Sequence, residues 1–352
     1  MSELRDFQRQ DIDAIKLNNG RALIASSPGT GKTVIAVLSL AETPDKSLPA
    51  LIICPASVTR NWGREIKKWA PNLRPILVES AVPLPNIPNA VYIVSWALLD
   101  TIWPYVIKAK IKAVVADEAH FAKNPEAQRT QALFQLSRKC DRILLLTGTP
   151  IVNTTDELEV LNTLLGSSPF MIRRLLEDVA PDIPPKSRSY LYIKLRDKYQ
   201  EEYEKADKDF ENWLRVEKEE MLGKGMAEAE VERVLAAEAL AKIGYLRRLL
   251  GLCKVPAASD WIARAVRIGE PVVVFVEHQE VLANLSRALY KQRIRHVIID
   301  GSTTPKQRQR NIDAFQRNQY PVLIGTKAAH EGITLTAARH LLFQWVRALA
   351  VG

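Results

Sequence analysis

The sequence predicts an α/β protein built from two parallel-sheet domains, on three observations. Short apolar runs recur between amphipathic stretches, the runs do not alternate polar with apolar residues, and the rhythm breaks once, in a long charged segment, before it resumes. Unalternating runs fit strands buried on both faces of a parallel sheet, and the stretches between them supply the crossover helices that parallel strands need. A chain of 352 residues is also longer than one ordinary core fills.

The first domain is expected over residues 1–180. Its strands are Ala22–Ala25, Leu51–Cys54, Val91–Val94, Ala113–Ala116 and Ile143–Leu146, with helical patterns at Val34–Ala41 and Val58–Trp69. Trp62 and Trp69 lie seven apart on the second helix and read as packing residues. Near Pro181–Lys186 the character changes, and residues 181–254 are expected to form a linker and a helical protrusion. A strand-like Tyr190–Leu195 leads into the charged stretch Arg196–Leu250. Acid-first pairs four apart, such as Glu201/Lys205 and Glu238/Lys242, support exposed helices there. Gly223 and Gly225 mark a turn, and Val231, Val234, Leu235, Ile243, Leu246 and Leu250 give the second helix an apolar stripe. Residues 255–352 return to the α/β rhythm. Strands are expected at Val272–Val276, His296–Ile299, Val322–Ile324 and His340–Phe343, with helices at Glu280–Gln292 and Pro305–Gln316. Because the sequence stops at Gly352, this second domain is expected to be incomplete.

The composition is ordinary for a globular protein, at 47% apolar and 25% charged residues. The net charge of +9 favours an acidic partner, of which nucleic acid is the commonest. Cys54, Cys140 and Cys253 are far apart and form no CxxC pair, which argues against a disulfide framework or a structural zinc site. Met1–Asp13 is polar and mixed in charge, and no apolar run approaches a membrane span, so a soluble, intracellular chain without a membrane partner is expected.

The strongest local signal is Ser26-Ser27-Pro28-Gly29-Thr30-Gly31-Lys32-Thr33, set between a predicted strand and a predicted helix. That is the setting of a phosphate-binding loop. Gly29 and Gly31 let the backbone turn tightly and aim N–H groups at phosphate oxygens, and the helix N-terminus adds its dipole. Lys32 is the candidate for neutralising β- and γ-phosphate charge, and the Thr33 hydroxyl the candidate ligand of Mg²⁺. Asp117-Glu118-Ala119-His120 follows the predicted strand Ala113–Ala116. Asp117 is the second candidate Mg²⁺ ligand, and Glu118 the candidate base for the attacking water.

These two segments together resemble motifs I and II of superfamily 2 helicases. Further segments resemble the Swi/Snf branch in order and spacing. Phe7-Gln8 is similar to the glutamine motif. Ile53–Ser57 with Asn61-Trp62 and Glu65–Trp69 is similar to motif Ia, and Ile93–Trp96 to motif Ib. Leu146–Pro150 resembles motif III, and its sequel Asn153, Glu157-Leu158 is also Swi/Snf-like. Phe170–Arg174 and Pro184–Lys186 resemble the family's passage to the second domain. Val273–Phe275 with His278 resembles motif IV, and Gly325-Thr326 with Glu331–Thr336 resembles motif V.

The resemblance implies two RecA-like P-loop domains and a motor that uses ATP and Mg²⁺ on double-stranded DNA, held independently of sequence. It implies that Gln8 reads the adenine edge and that Ser27–Thr33 cradle the phosphates. It implies interdomain coupling for His120, Thr147, Thr149 and Gly332, and nucleic-acid contacts at Ser57, Thr59, Ser95, Gly301 and Thr326. The tail Gln344–Gly352 holds one arginine, Arg347, and no segment like motif VI. Slow hydrolysis is therefore expected of the chain. A strand-separating DEAH-type helicase on DNA or RNA, and a clamp that binds ATP without turnover, remain open alternatives at this point.

Overall fold

The computed structural model describes residues 3–148, 156–166, 169–182, 187–193, 212, 228–326 and 335–343, with the backbone alone described for 156–157 and 228–242. The chain divides into two compact units, Met1–Ser187 and Arg188–Gly352.

The first unit is a seven-stranded sheet in the order β3-β4-β2-β5-β6-β1-β7. The strands are β1 (Arg21–Ile24), β2 (Ala50–Cys54), β3 (Arg74–Leu77), β4 (Ala90–Ser95), β5 (Ala113–Asp117), β6 (Arg142–Leu146) and β7 (Met171–Ile172). Every pairing is parallel. All five predicted apolar runs are central strands, and β2 is buried at each of its residues. Period-two alternation sends neighbouring residues to opposite faces. Leu51 and Ile53 join one core with Val114, Ala116, Leu133 and Leu136. Ala50, Ile52 and Cys54 join the other, with Ile12, Ile35, Trp62 and Ile66. Helices Asp6–Leu17, Lys32–Ala41 and Thr59–Trp69 cover the second face, and Leu99–Val106, Gln128–Lys139 and Asp156–Leu165 the first.

Two strands were not foreseen. β3 is an edge strand with a partly exposed pattern. β7 is two residues long and pairs beside β1, so the Phe170–Arg174 segment lies against the phosphate loop's own strand. Of the expected strand at Tyr190–Leu195, the described residues 190–193 carry no strand, and Tyr192 is 79% exposed. Nothing covers or pairs that segment among the described residues, so its apolar side chains do not mark a buried strand.

The second unit is a four-stranded parallel sheet, β11-β8-β10-β9, from β8 (Val272–Phe275), β9 (His296–Ile299), β10 (Val322–Gly325) and β11 (His340–Phe343). All four strands were predicted. Helices Gln279–Lys291 and Pro305–Gln316 connect them. The second is entered through Thr304, whose Oγ1 accepts from the Gln307 N–H at 3.3 Å, with proline at the first helical turn. A continuous helix, Glu228–Arg267, precedes the sheet. The expected boundary between residues 254 and 255 falls inside it. The expected turn at Gly223 and Gly225, and most of the proposed protrusion, lie outside the described residues. No helix among the described residues is long and apolar enough to cross a membrane.

Candidate active site

Parallel strands end at one edge, and ligand sites of open α/β sheets gather there. In the first unit β1, β5 and β6 lie side by side in the order β5-β6-β1, with Asp117 in register with Leu146 and Leu146 with Ile24. This register brings three segments together: the loop after β1, the acidic pair ending β5, and Thr147-Gly148 after β6.

The loop turns through two glycines in the left-handed region. Gly29 and Gly31 have φ of +87° and +85°. Gly31 also has a packing reason to be glycine, since a Cβ there would fall 2.3 Å from Nε2 of Gln8. Gln8 donates through Nε2 to the Thr30 carbonyl at 3.0 Å and accepts at Oε1 from the Arg5 N–H at 3.1 Å. The glutamine thus ties the first helix to the loop. Thr30 is buried and donates to the Ser27 carbonyl at 2.8 Å. Pro28 is exposed, and Thr33 sits half-buried in the first turn of helix Lys32–Ala41.

Lys32 folds back over the loop and donates to the carbonyls of Ser26 and Ser27 at 2.8 and 3.3 Å. Burial pulls its ammonium below the ordinary lysine range, while Glu118 and Asp117 draw it back up. A Cβ on Gly148 would come within 3.8 Å of that nitrogen, which places the end of β6 beside it too.

Asp117 is held at each end. Its Oδ2 accepts from Nε1 of Trp62 at 2.8 Å and its Oδ1 from the Glu118 N–H at 3.0 Å. Its carbonyl accepts from Nε1 of Trp96 at 2.8 Å. Burial pushes its carboxyl up to about 6, against the Trp62 hydrogen bond, which favours the anion. Glu118 has φ of +50°, a left-handed conformation costly for a residue with a Cβ. That backbone twist sends its side chain toward His120, with Oε2 and Nδ1 3.2 Å apart. The contact lacks hydrogen-bond geometry, and His120 Nδ1 is a buried atom with no hydrogen-bond partner. His120 also stacks on Phe121, ring centroids 5.0 Å apart. Thr147 is fully buried, and its N–H donates to the Ile24 carbonyl at 3.1 Å.

Two supporting residues were missed or underread. Trp62 is not only packing, because its N–H is spent on Asp117. Arg174 is a clamp: its N–H donates to Ser26 Oγ, its carbonyl accepts from the Ser27 N–H, and its guanidinium reaches the buried Asp11. An acid–base pair 163 residues apart leaves no local signal.

The expected nucleic-acid residues of the first unit line the same strand-end edge. Ser57 sits in the turn Ala56–Val58 after β2, Thr59 opens helix Thr59–Trp69 and bonds back to the Ala56 carbonyl at 3.1 Å, and Ser95 ends β4. In the second unit Gly301 is exposed in a turn tied by Asp300, whose Oδ1 accepts from the Ser302 hydroxyl and the Thr303 hydroxyl at 2.7 and 2.9 Å. Thr326 follows β10 and is 6% exposed, its N–H donating to the Ile299 carbonyl. Thr149, Gly332 and Arg347 lie outside the described residues. Among those described, no three His, Cys, Asp or Glu side chains form a metal-binding group.

Comparison with known proteins agrees along the chain. Residues 14–170 match the SNF2-related domain, and residues 253–344 match the helicase conserved C-terminal domain. The "DNA annealing helicase and endonuclease ZRANB3" of Bos taurus is 26% identical over 97% of this chain and 35% of its own length. The "Uncharacterized ATP-dependent helicase MG018" of Mycoplasma genitalium is 27% identical over 96% of this chain and 36% of its own. The chain therefore spans about a third of the length of these relatives. The Pyrococcus furiosus Hef helicase domain shares the fold, with a TM-score of 0.62 at 16% identity over 97% of this chain and 89% of that one. With its phosphate loop and acidic pair, the chain carries an SNF2-related domain followed by a helicase conserved C-terminal domain, the order seen in Swi/Snf-like helicases, which it resembles.

Proposed function

We propose that this chain is the core of an ATP-driven motor that moves along double-stranded DNA. The observation that carries the reading is the strand order β5-β6-β1, whose register sets the Asp117-Glu118 pair, Gly148 and the loop of Lys32 at one strand-end edge, with a Cβ on Gly148 falling 3.8 Å from the Lys32 ammonium. The similar proteins named as a DNA annealing helicase and endonuclease and as an ATP-dependent helicase support it.

The residues suit Mg²⁺·ATP. Gly29 and Gly31 turn the loop, and among the described residues Lys32 donates to loop carbonyls that a triphosphate replaces as partner. Asp117 and the Thr33 hydroxyl are the groups to hold Mg²⁺, which when bound neutralises charge on the phosphate oxygens. Each Asp117 oxygen already accepts one hydrogen bond and keeps a lone pair. Gln8 likewise retains one N–H and one lone pair for an adenine edge. Glu118 orients the attacking water and takes its proton. His120 and Thr147, at the same edge, relay the state of the site to the second domain, as do Thr149 and Gly332. Ser57, Thr59, Ser95, Gly301 and Thr326 meet DNA phosphates, which position the duplex without reading bases.

Triplex displacement by the full chain tests this reading. A motor on duplex DNA displaces the third strand with ATP and not after Lys32→Ala. Strand separation of a forked duplex without triplex displacement would instead support a helicase in the strict sense.

A further inference from the structure

One residue connects the loop expected to meet DNA with the carboxylate expected to hold Mg²⁺. Trp62 lies one turn into helix Thr59–Trp69, just after Ser57 and Thr59. Its indole is 1% exposed and packed into the core beneath the sheet with Ile66. The ring cannot swing independently of its helix. A buried indole N–H needs an acceptor, and most find a backbone carbonyl or water. This one donates to Oδ2 of Asp117 at 2.8 Å, across 55 residues of sequence. The other contacts of Asp117 belong to fixed structure: Trp96 bonds its carbonyl, and Oδ1 takes the adjacent Glu118 N–H. Of the three hydrogen bonds, the Trp62 bond alone joins the carboxylate to the helix that begins at Thr59.

We propose that Trp62 is a positioning residue that ties occupancy of the Ser57–Thr59 turn by DNA to the orientation of the Asp117 carboxylate. The inference rests on the motor reading above. Phosphate contacts at Ser57 or Thr59 shift the start of the helix. The shift moves a rigid ring whose N–H fixes Oδ2, and with it the lone pair left for Mg²⁺. DNA binding and Mg²⁺·ATP binding then favour each other, and the coupling is reciprocal.

Replacing Trp62 with 3-benzothienylalanine isolates the bond, because sulfur takes the place of N–H in a ring of nearly the same shape. Trp69, which donates to Glu65 at 3.0 Å on the same helix, receives the same replacement as a control. Binding of a fluorescent ATP analogue with Mg²⁺ is measured on the full chain, without and with duplex DNA, so no turnover is needed. In the unmodified chain DNA tightens nucleotide binding by a factor in the usual range of about 5 to 150. Modification at position 62 brings that factor close to one, and modification at 69 leaves it unchanged. If the modified chain does not fold, Trp62→Phe, which also lacks the donor, takes its place in the same measurement. Coupling that survives loss of the position-62 donor overturns the inference and leaves the motor reading intact. Absence of coupling in the unmodified chain overturns both.

Discussion

The guanidinium of Arg174 donates from Nε and Nη2 to a single oxygen, Oδ1 of Asp11, at 3.0 and 2.7 Å. Asp11 is 1% exposed, and its other oxygen has no hydrogen-bond partner. Removing the arginine strands a buried charge, which costs more than removing the pair. Arg174→Ala therefore destabilises the first unit by about 3 kcal/mol in urea unfolding. The double change Arg174→Ala with Asp11→Ala loses less than Arg174→Ala alone. Losses that simply add would show that the two side chains do not act as a pair.

Gly31→Ala should weaken nucleotide binding for two separable reasons. A left-handed alanine costs roughly 1–2 kcal/mol, and the added Cβ collides with the Gln8 amide. Shortening Gln8 as well, as Gln8→Ala, removes the collision and leaves the backbone cost. The double variant regains part of the lost thermal stability but not wild-type nucleotide affinity. Full recovery of affinity would mean that the left-handed turn is not needed to present the loop.

The Asp117 carboxyl titrates near 6 in the folded chain, against an ordinary 3.8, chiefly because it is buried. Between those values the folded chain holds a proton that the unfolded chain has released. The stability this gives is complete below about pH 4 and is lost as pH rises through 6. Asp117→Asn keeps an acceptor for Trp62 without the charge. In the absence of metal and nucleotide it stabilises the chain at pH 8 by on the order of 2–3 kcal/mol and leaves stability near pH 4 unchanged. A gain that does not depend on pH would place its origin elsewhere.

Contacts to phosphates make DNA affinity fall steeply with salt, by a slope of about 0.9 in log–log terms for each phosphate neutralised. With a net charge of +9 and no base-reading element in view, duplexes of different sequence should bind alike and share that slope. Titrations at several salt concentrations measure it. A salt-insensitive or sequence-selective complex would contradict phosphate-based binding.

The central strands of both sheets were legible because burial on both faces forces unbroken apolar runs, as in Leu51–Cys54 and Val272–Phe275. β3 escaped notice because an edge strand needs only partial burial, and Arg74 and Pro75 interrupt its pattern. β7 is too short to carry any period. Tyr190–Tyr192 misled in the opposite sense, since β-forming residues there are exposed and unpaired. In the site, the segments that carry Lys32, Asp117 and Glu118 could be placed from the sequence, because each follows an apolar run and the ends of β5, β6 and β1 lie side by side. The partners that hold them could not, since Trp62 reaches Asp117 and Arg174 reaches Asp11 through contacts set only by the folded sheet.

Single-turnover hydrolysis of ATP by the full chain, with Mg²⁺ and duplex DNA, tests the central claim most directly when run beside Lys32→Ala and Glu118→Gln. The account predicts that Glu118→Gln still binds Mg²⁺·ATP while its chemical step slows by about 10²–10⁴, and that Lys32→Ala loses binding as well. Hydrolysis by Glu118→Gln at the unmodified rate would contradict it.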